Sequence, residues 1–297
     1  MKSKKFYLKK MAKYTSTLLE TVLGRNLFTR VSRYLWHRAR LNFKNDFEKN
    51  GERLVLDALT TTIGEGQTLR VFDVGGNVGE WSALLVDLIH EKQPKYNGLE
   101  LHLFEPAPAA AQRIRNRFES GDSFPGEVFV NEVAVAEESG EAQLNIREPA
   151  AGTNALQFGK SEQTKKKIDV RIITLDDYCK DKEIGSIDFI KVDTEGNDFN
   201  VLLGAEQLLS EGKVTYVQFE YNWRWVNFRC FLKDVFDLLD DNVYSLGKIT
   251  PYGIEVYNRW DYELENFIES NYLIFDSLES MDIEKIPYWK AGEMESD

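Results

Sequence analysis

The chain has 297 residues, with 37 Lys or Arg against 49 Asp or Glu, for a formal net charge of -12. The charge is uneven: residues 1–45 carry twelve basic side chains and one acid, Glu20, which leaves the rest at -23. An acidic body argues against broad nucleic-acid binding, because phosphate contacts need a basic surface. The two cysteines, Cys179 and Cys230, and the three histidines, His37, His90 and His102, have no disulfide-framework or metal-ligand spacing, so no metal is expected. The basic start lacks the apolar stretch of a signal peptide, and no window approaches the roughly 18 apolar residues of a membrane span. The expected location is cytoplasmic.

Residues 1–45 read as one or two helices. Leu18, Leu19, Val22, Leu23, Leu27, Val31, Tyr34, Leu35 and Trp36 recur at roughly helical spacing opposite an Arg-rich face. This leader either packs or assembles with protein, or lies on an anionic membrane surface. The body, 46–297, opens with a helix over about 46–60. From Leu69, short apolar runs alternate with helical patterns. LRVFDV, LELHLFEP, EVFVNEVAV, SIDFIKVD and KVTYVQFEY read as strands. SALLVDLIHEK, AAAQRIRNRFES, a stretch from Asn197 to Ser210 and RCFLKDVFDLLDD read as helices. AQLNI and DVRIITL suggest a hairpin insertion over the strand ends. VYSLGKI, GIEVY and NYLIFDSL read as further strands, with YELENFIES as a helix between the last two. Strands alternating with helices specify an α/β fold with a mainly parallel sheet. The core runs over about 69–222, the last strands and helix over 223–278, and a tail follows. His102, inside the apolar LHLF, is expected on a strand face in the core.

In such sheets, ligands bind beyond the carboxyl ends of the strands. VFDVGGNVGE places Gly75, Gly76 and Gly79 at that turn. A dinucleotide fingerprint counted from Gly75 needs glycine at 77 and 80, where Asn77 and Glu80 stand, so NAD fits poorly. Asp73 before the turn suits a ligand with a cationic end, and S-adenosylmethionine has an ammonium and a sulfonium. Glu105, in LFEP, stands at the tip of the next strand. A carboxylate there accepts hydrogen bonds from a ribose diol.

These pieces, VFDVGGNVGEWS, LFEP, NEVAV, TLDDY, IDFIKVDTEGNDFNVLLGAEQLL and VQFEYN, resemble in this order the FkbM-type branch of the class I S-adenosylmethionine-dependent methyltransferases. The resemblance covers roughly Leu69 to Asn222, more loosely to Leu278, and leaves the basic leader unexplained. It implies a Rossmann-like, mostly parallel seven-stranded sheet flanked by helices, with a β insertion. By resemblance, Asp73, Gly75, Gly76, Asn77 and Gly79 hold the methionine end of S-adenosylmethionine. Glu105 takes the ribose hydroxyls and Pro106 shapes its turn. Asn131 and Ala134 lie by the adenine, and Asp193 lies close to the transferred methyl.

A hydroxyl acceptor needs a base, and methyl transfer otherwise needs in-line positioning. Asp193, Glu195 and Glu220 are the candidate bases, and Thr153 and Asn154 are candidate acceptor contacts. The expected activity is O-methylation of a sugar, glycolipid, polysaccharide or secondary metabolite. The alternatives are a membrane-surface or partner-docking protein on a methyltransferase-like scaffold and, less favoured, an NAD-dependent oxidoreductase. The oligomeric state is left open.

Overall fold

The computed structural model describes residues 4–42, 46–47, 49–62, 64, 66–93, 96–118, 124–146, 156, 166–239, 244–279 and 281–290. The chain forms two compact units, residues 1–43 and 44–297. The first contains two helices, α1 (Lys4–Leu23) and α2 (Arg25–Ala39), joined at Gly24.

In the second unit, α3 (Glu52–Thr62) precedes β1 (Thr68–Val74), α4 (Glu80–Lys92), β2 (Gly98–Phe104), α5 (Pro108–Phe118) and β3 (Gly126–Asn131). Then come β4 (Ala134–Val135), β5 (Gly140–Ile146), β6 (Lys166–Ile173), α6 (Leu175–Asp181) and β7 (Ile187–Val192). The chain continues through α7 (Asp198–Leu203), α8 (Glu206–Ser210), β8 (Val214–Tyr221), α9 (Trp225–Phe228) and α10 (Leu232–Leu239). It ends with β9 (Ser245–Thr250), β10 (Gly253–Tyr257), β11 (Ser270–Phe275) and β12 (Lys285–Pro287).

The main sheet has the order β12-β10-β9-β11-β8-β7-β1-β2-β3. Its strands from β8 to β3 are parallel, while β11 and β9 run antiparallel to their neighbours. Among the described residues the sheet therefore has nine strands, not the seven expected, and β12 comes from the segment read as a tail. The central strands carry near-continuous apolar runs because helices cover both faces. Phe72, Leu101, Phe189 and Phe219 are fully buried. A second, three-stranded sheet has the order β4-β6-β5. Its β5–β6 pair is antiparallel, the hairpin read from AQLNI and DVRIITL.

Three other expectations need correction. EVFVNEVAV is not one strand: it divides at Glu132–Val133, with β3 in the main sheet and β4 in the small one. The helix read over Asn197–Ser210 breaks between α7 and α8, where a Cβ on Gly204 would lie 2.2 Å from the Ala136 carbonyl oxygen. YELENFIES is not a helix beyond the 3-10 turn Tyr262–Leu264. Glu265 is drawn away from it: its carboxylate accepts the Leu232 and Lys233 amides at the start of α10, the Tyr221 hydroxyl and the Trp260 indole N–H. One half-buried acceptor with four donors outweighs a helical propensity of a few tenths of a kcal/mol per residue.

The turn after β1 is shaped by a close backbone approach. Gly75 has φ 84°, and a Cβ there would fall 1.9 Å from the Asp193 carbonyl oxygen. The Asp193 amide donates to Val74 O at 2.9 Å, so the ends of β1 and β7 are locked together. Gly75→Ala is expected to destabilise the fold by about 3 kcal/mol or more, from backbone strain plus overpacking. Urea unfolding measures this; a loss under about 1 kcal/mol would contradict the close approach.

Candidate functional site

Register brings the site together. Val74 pairs with Phe104 on one side and with Val192 on the other, so the turns after β1, β2 and β7 open on one edge of the sheet. Between them lies a cavity open to solvent. Gly75, Asn77, Glu105, Pro106, Asp193 and Glu195 line it on the polar side. Phe104, Val133, Ala134, Val135, Leu144 and Leu156 form an apolar side.

Glu105 is 7% exposed and is held by backbone amides, Asn77 N at 3.0 Å and Ala107 N at 2.8 Å, one on each oxygen. Each oxygen keeps a lone pair for a further donor. Burial pushes its carboxyl up to about 7, against the two amide hydrogen bonds, and Asp73 adds to the rise. Glu195 has φ 59° and forms an ion pair with Arg224 at 2.6 Å. Burial and then Asp193 push it up to about 8, with Arg224 opposing. Asp198, fully buried at the start of α7, accepts the Thr194 and Gly196 amides and so fixes the DTEG turn. Burial and Asp193 push its carboxyl up to about 7. Asn197 donates to Val135 O at 3.1 Å and ties this turn to the apolar wall.

Other expected residues stand elsewhere. Asp73, 1% exposed, is not on the cavity wall: it lies beneath the turn, where Ser82 Oγ donates to Oδ2 at 2.5 Å and Oδ1 has no partner. Gly76 and Gly79 support the turn from behind; Gly79 N donates to Gly76 O at 2.7 Å. Asn131 supports Glu105 through its carbonyl, which accepts Glu105 N at 3.0 Å, and its side chain donates to Leu103 O. Glu220 is buried off the wall, bonded by Asn222, and burial, then Asp193, raise its carboxyl. Thr153 and Asn154 lie outside the described residues. His102 is a core residue, as expected: it bridges Tyr178 and Glu100 at 2.8 Å each and stacks on Phe129.

A family model for the methyltransferase FkbM domain matches residues 73–246. The chain belongs to the FkbM methyltransferase family. Its cofactor is S-adenosylmethionine. The chain is 25% identical over 165 residues to the 2-O-methyltransferase NoeI of Sinorhizobium fredii (strain NBRC 101917 / NGR234), an overlap of 50% of this chain and 62% of NoeI. A solved methyltransferase FkbM from Methylobacillus flagellatus KT aligns with TM-score 0.45 at 18% identity, over 72% of this chain and 45% of that one. A SAM-dependent methyltransferase from Agrobacterium tumefaciens aligns with TM-score 0.38 at 9% identity, over 75% and 60%. The chain thus spans less than two thirds of each of these three relatives.

The FkbM cavity fits the cofactor on its own evidence. Buried Asn77 Oδ1 and Thr194 Oγ1 have no partners and await a ligand's polar groups. The spare lone pairs of Glu105 suit a diol, and the apolar wall suits a base.

Sequence reasoning missed Lys191, Thr194 and Arg224. Lys191 is two residues before Asp193, hence on the same face of its strand, and it pairs in register with Asp73 on β1 and Gln218 on β8. It is 4% exposed and donates to Asp193 Oδ2 at 3.0 Å. Burial alone would lower the ammonium's pKa; Asp193, Asp73 and Glu52 reverse that and raise it. Glu52 on α3 is held by Gln218 and Asn271 at 2.7 and 2.9 Å. The K-x-D spacing in KVDTEG was the available signal.

Two outcomes follow in the FkbM fold. Lys191→Met is expected to cost about 3–5 kcal/mol, because it strands buried carboxylates; a change under about 1 kcal/mol in urea unfolding would refute the charge cluster. Glu105, Asp198 and Glu195 all have folded pKa values raised above their unfolded ones. Their protonated forms are therefore favoured in the fold, and stability falls as pH rises from about 4.5 to about 8. Ligand-free protein is expected to melt several degrees higher at pH 6 than at pH 8, and a flat or inverted trend in calorimetry would exclude these shifts.

Proposed function

We propose that this chain transfers the methyl group of S-adenosylmethionine to a hydroxyl of a small-molecule or glycan acceptor, with a sugar hydroxyl as the leading class. The observation that carries this reading is the meeting of Glu105, Asp193, Thr194 and Glu195 on one cavity at the carboxyl ends of β1, β2 and β7. NoeI, a 2-O-methyltransferase, supports oxygen as the accepting atom.

Glu105 binds the ribose diol. Gly75 and Asn77 hold the methionine end at the turn, and the wall from Val133 to Val135 with Leu144 takes the adenine. Asp73 acts from below, as a buried charge under the turn. The cofactor supplies a methyl carbon activated by a sulfonium leaving group. The remaining task is to position an acceptor oxygen in line and accept its proton. Glu195 accepts that proton: it faces the cavity, and its carboxyl titrates close to neutral pH, where a general base is efficient. Arg224 orients Glu195, and Asp193 lies beside the methyl, fixed by Lys191. Thr153 and Asn154 would contact the acceptor.

Titration calorimetry tests the first half. The protein should bind S-adenosylmethionine, and Glu105→Ala should weaken binding roughly tenfold or more, as loss of two hydrogen bonds to a charged group implies. Unchanged affinity would withdraw the ribose contact. For the second half, labelled S-adenosylmethionine is incubated with extracts of the source cell and the labelled product is identified. An alkali-stable methyl ether supports the hydroxyl acceptor; a methyl ester or methylamine overturns it. With that acceptor, kcat/KM for S-adenosylmethionine should rise through pH about 8. Glu195→Gln should abolish that limb and lower kcat by about 10²-fold or more; a retained limb would remove Glu195 as base.

A further inference from the structure

The two leader helices hold an apolar surface with no core beneath it. In α1, Tyr7, Met11, Tyr14, Leu18 and Val22 follow the spacing of a single helix face. All five are exposed, Tyr14 at 66% and Val22 at 73%. In α2, Leu27, Val31, Tyr34 and Leu35 form a second exposed face. No residue from 6 to 42 is buried. Helices of this length gain most of their stability by packing an apolar face, so these faces need something to cover them.

Charge identifies the cover. Lys9, Lys10 and Lys13 lie away from the α1 stripe, and Arg25, Arg30 and Arg33 lie away from that of α2, with Glu20 the single acid of residues 1–45. A second copy of the pair would cover the stripes but carries the same excess of cations and offers them no partner. An anionic lipid surface matches the cations and takes the apolar stripes at its acyl boundary. Tyr and Trp side chains such as Tyr7, Tyr14, Tyr34 and Trp36 suit that boundary, with apolar rings and polar tips. The hydroxyls along α1 are already satisfied within the helix: Thr15, Thr17 and Thr21 donate to Met11 O, Lys13 O and Thr17 O at 2.8–2.9 Å. They can therefore enter an interface with less water around them. Among the described residues no helix is long and apolar enough to cross a membrane, so the geometry is one of lying in the surface.

We propose that α1 and α2 form an interfacial anchor that seats this protein on anionic phospholipid. The proposal is independent of the methyl acceptor. The test is sedimentation of the full chain with vesicles of phosphatidylcholine plus phosphatidylserine and with phosphatidylcholine alone. Binding is expected to the mixed vesicles, roughly tenfold or more weaker to the neutral ones, and reduced by high salt. Met11→Ser with Leu18→Ser and Val22→Ser should abolish it, and so should Lys9→Glu with Lys10→Glu and Lys13→Glu. Both variants should keep the S-adenosylmethionine affinity and melting of the parent, which shows that the body remains folded. Absence of binding by the parent overturns the anchor. So does equal binding to both vesicle types, or binding that survives the stripe variant. Sedimentation equilibrium without lipid covers the other occupant: a dimer that the stripe variant dissociates would assign the faces to a second copy and also overturn the proposal.

Discussion

One buried ammonium organises the centre of this fold. Lys191 sits in mid-sheet beside Asp73 and below Asp193, with Glu52 reaching in from the helix that opens the body. A buried charge is tolerated only when it is paired and hydrogen bonded. That requirement ties together α3, β1, β7 and β8, which are distant in sequence. Trp81 on α4 adds its ring face, 5.9 Å from the ammonium. The charge pattern ranks the acids by depth. Asp73 and Glu52 are sealed beneath the turns, whereas Asp193 reaches the cavity.

The cavity is therefore rich in carboxyl groups and short of cations at its surface. Burial raises the Glu105 and Glu195 carboxyls there to about 7 and about 8. A methyl donor with an ammonium and a sulfonium supplies the missing positive charge, so binding and ionisation of the site are linked. The local strain has the same logic. Asn77 and Glu195 both have positive φ without being glycine, and both face the cavity. Residues held in such conformations cluster at functional sites, where the surrounding structure over-determines them.

Much of this was legible in the chain. The glycine turn, LFEP and KVDTEG each stand at a strand end, and the α/β alternation alone places strand ends together. What the sequence hid depends on contacts between distant segments. Glu265 sits in a helix-like stretch, yet α10 and Tyr221 need its carboxylate more. NEVAV reads as one strand, yet two sheets share it. Asp73 looks like a ligand contact from its spacing, but Ser82 and Lys191 claim its side chain from below. Of the apolar wall the sequence marks only Ala134, in NEVAV; Leu144 and Leu156 have no motif, and only folding gathers them beside it. The acceptor contacts expected at Thr153 and Asn154 lie outside the described residues.

The far edge of the main sheet has its own consequence. β12 is only Lys285–Pro287, paired parallel with β10. Its proline lacks a backbone donor, and its lysine is exposed. A short strand with Pro and Lys makes a poor template for a further strand. β10, by contrast, carries Ile254, Val256 and Tyr257, an apolar ribbon that would invite pairing between molecules if left bare. Those three residues after a long sheet thus work as an end-stop, which keeps a nine-stranded surface from growing into its neighbours.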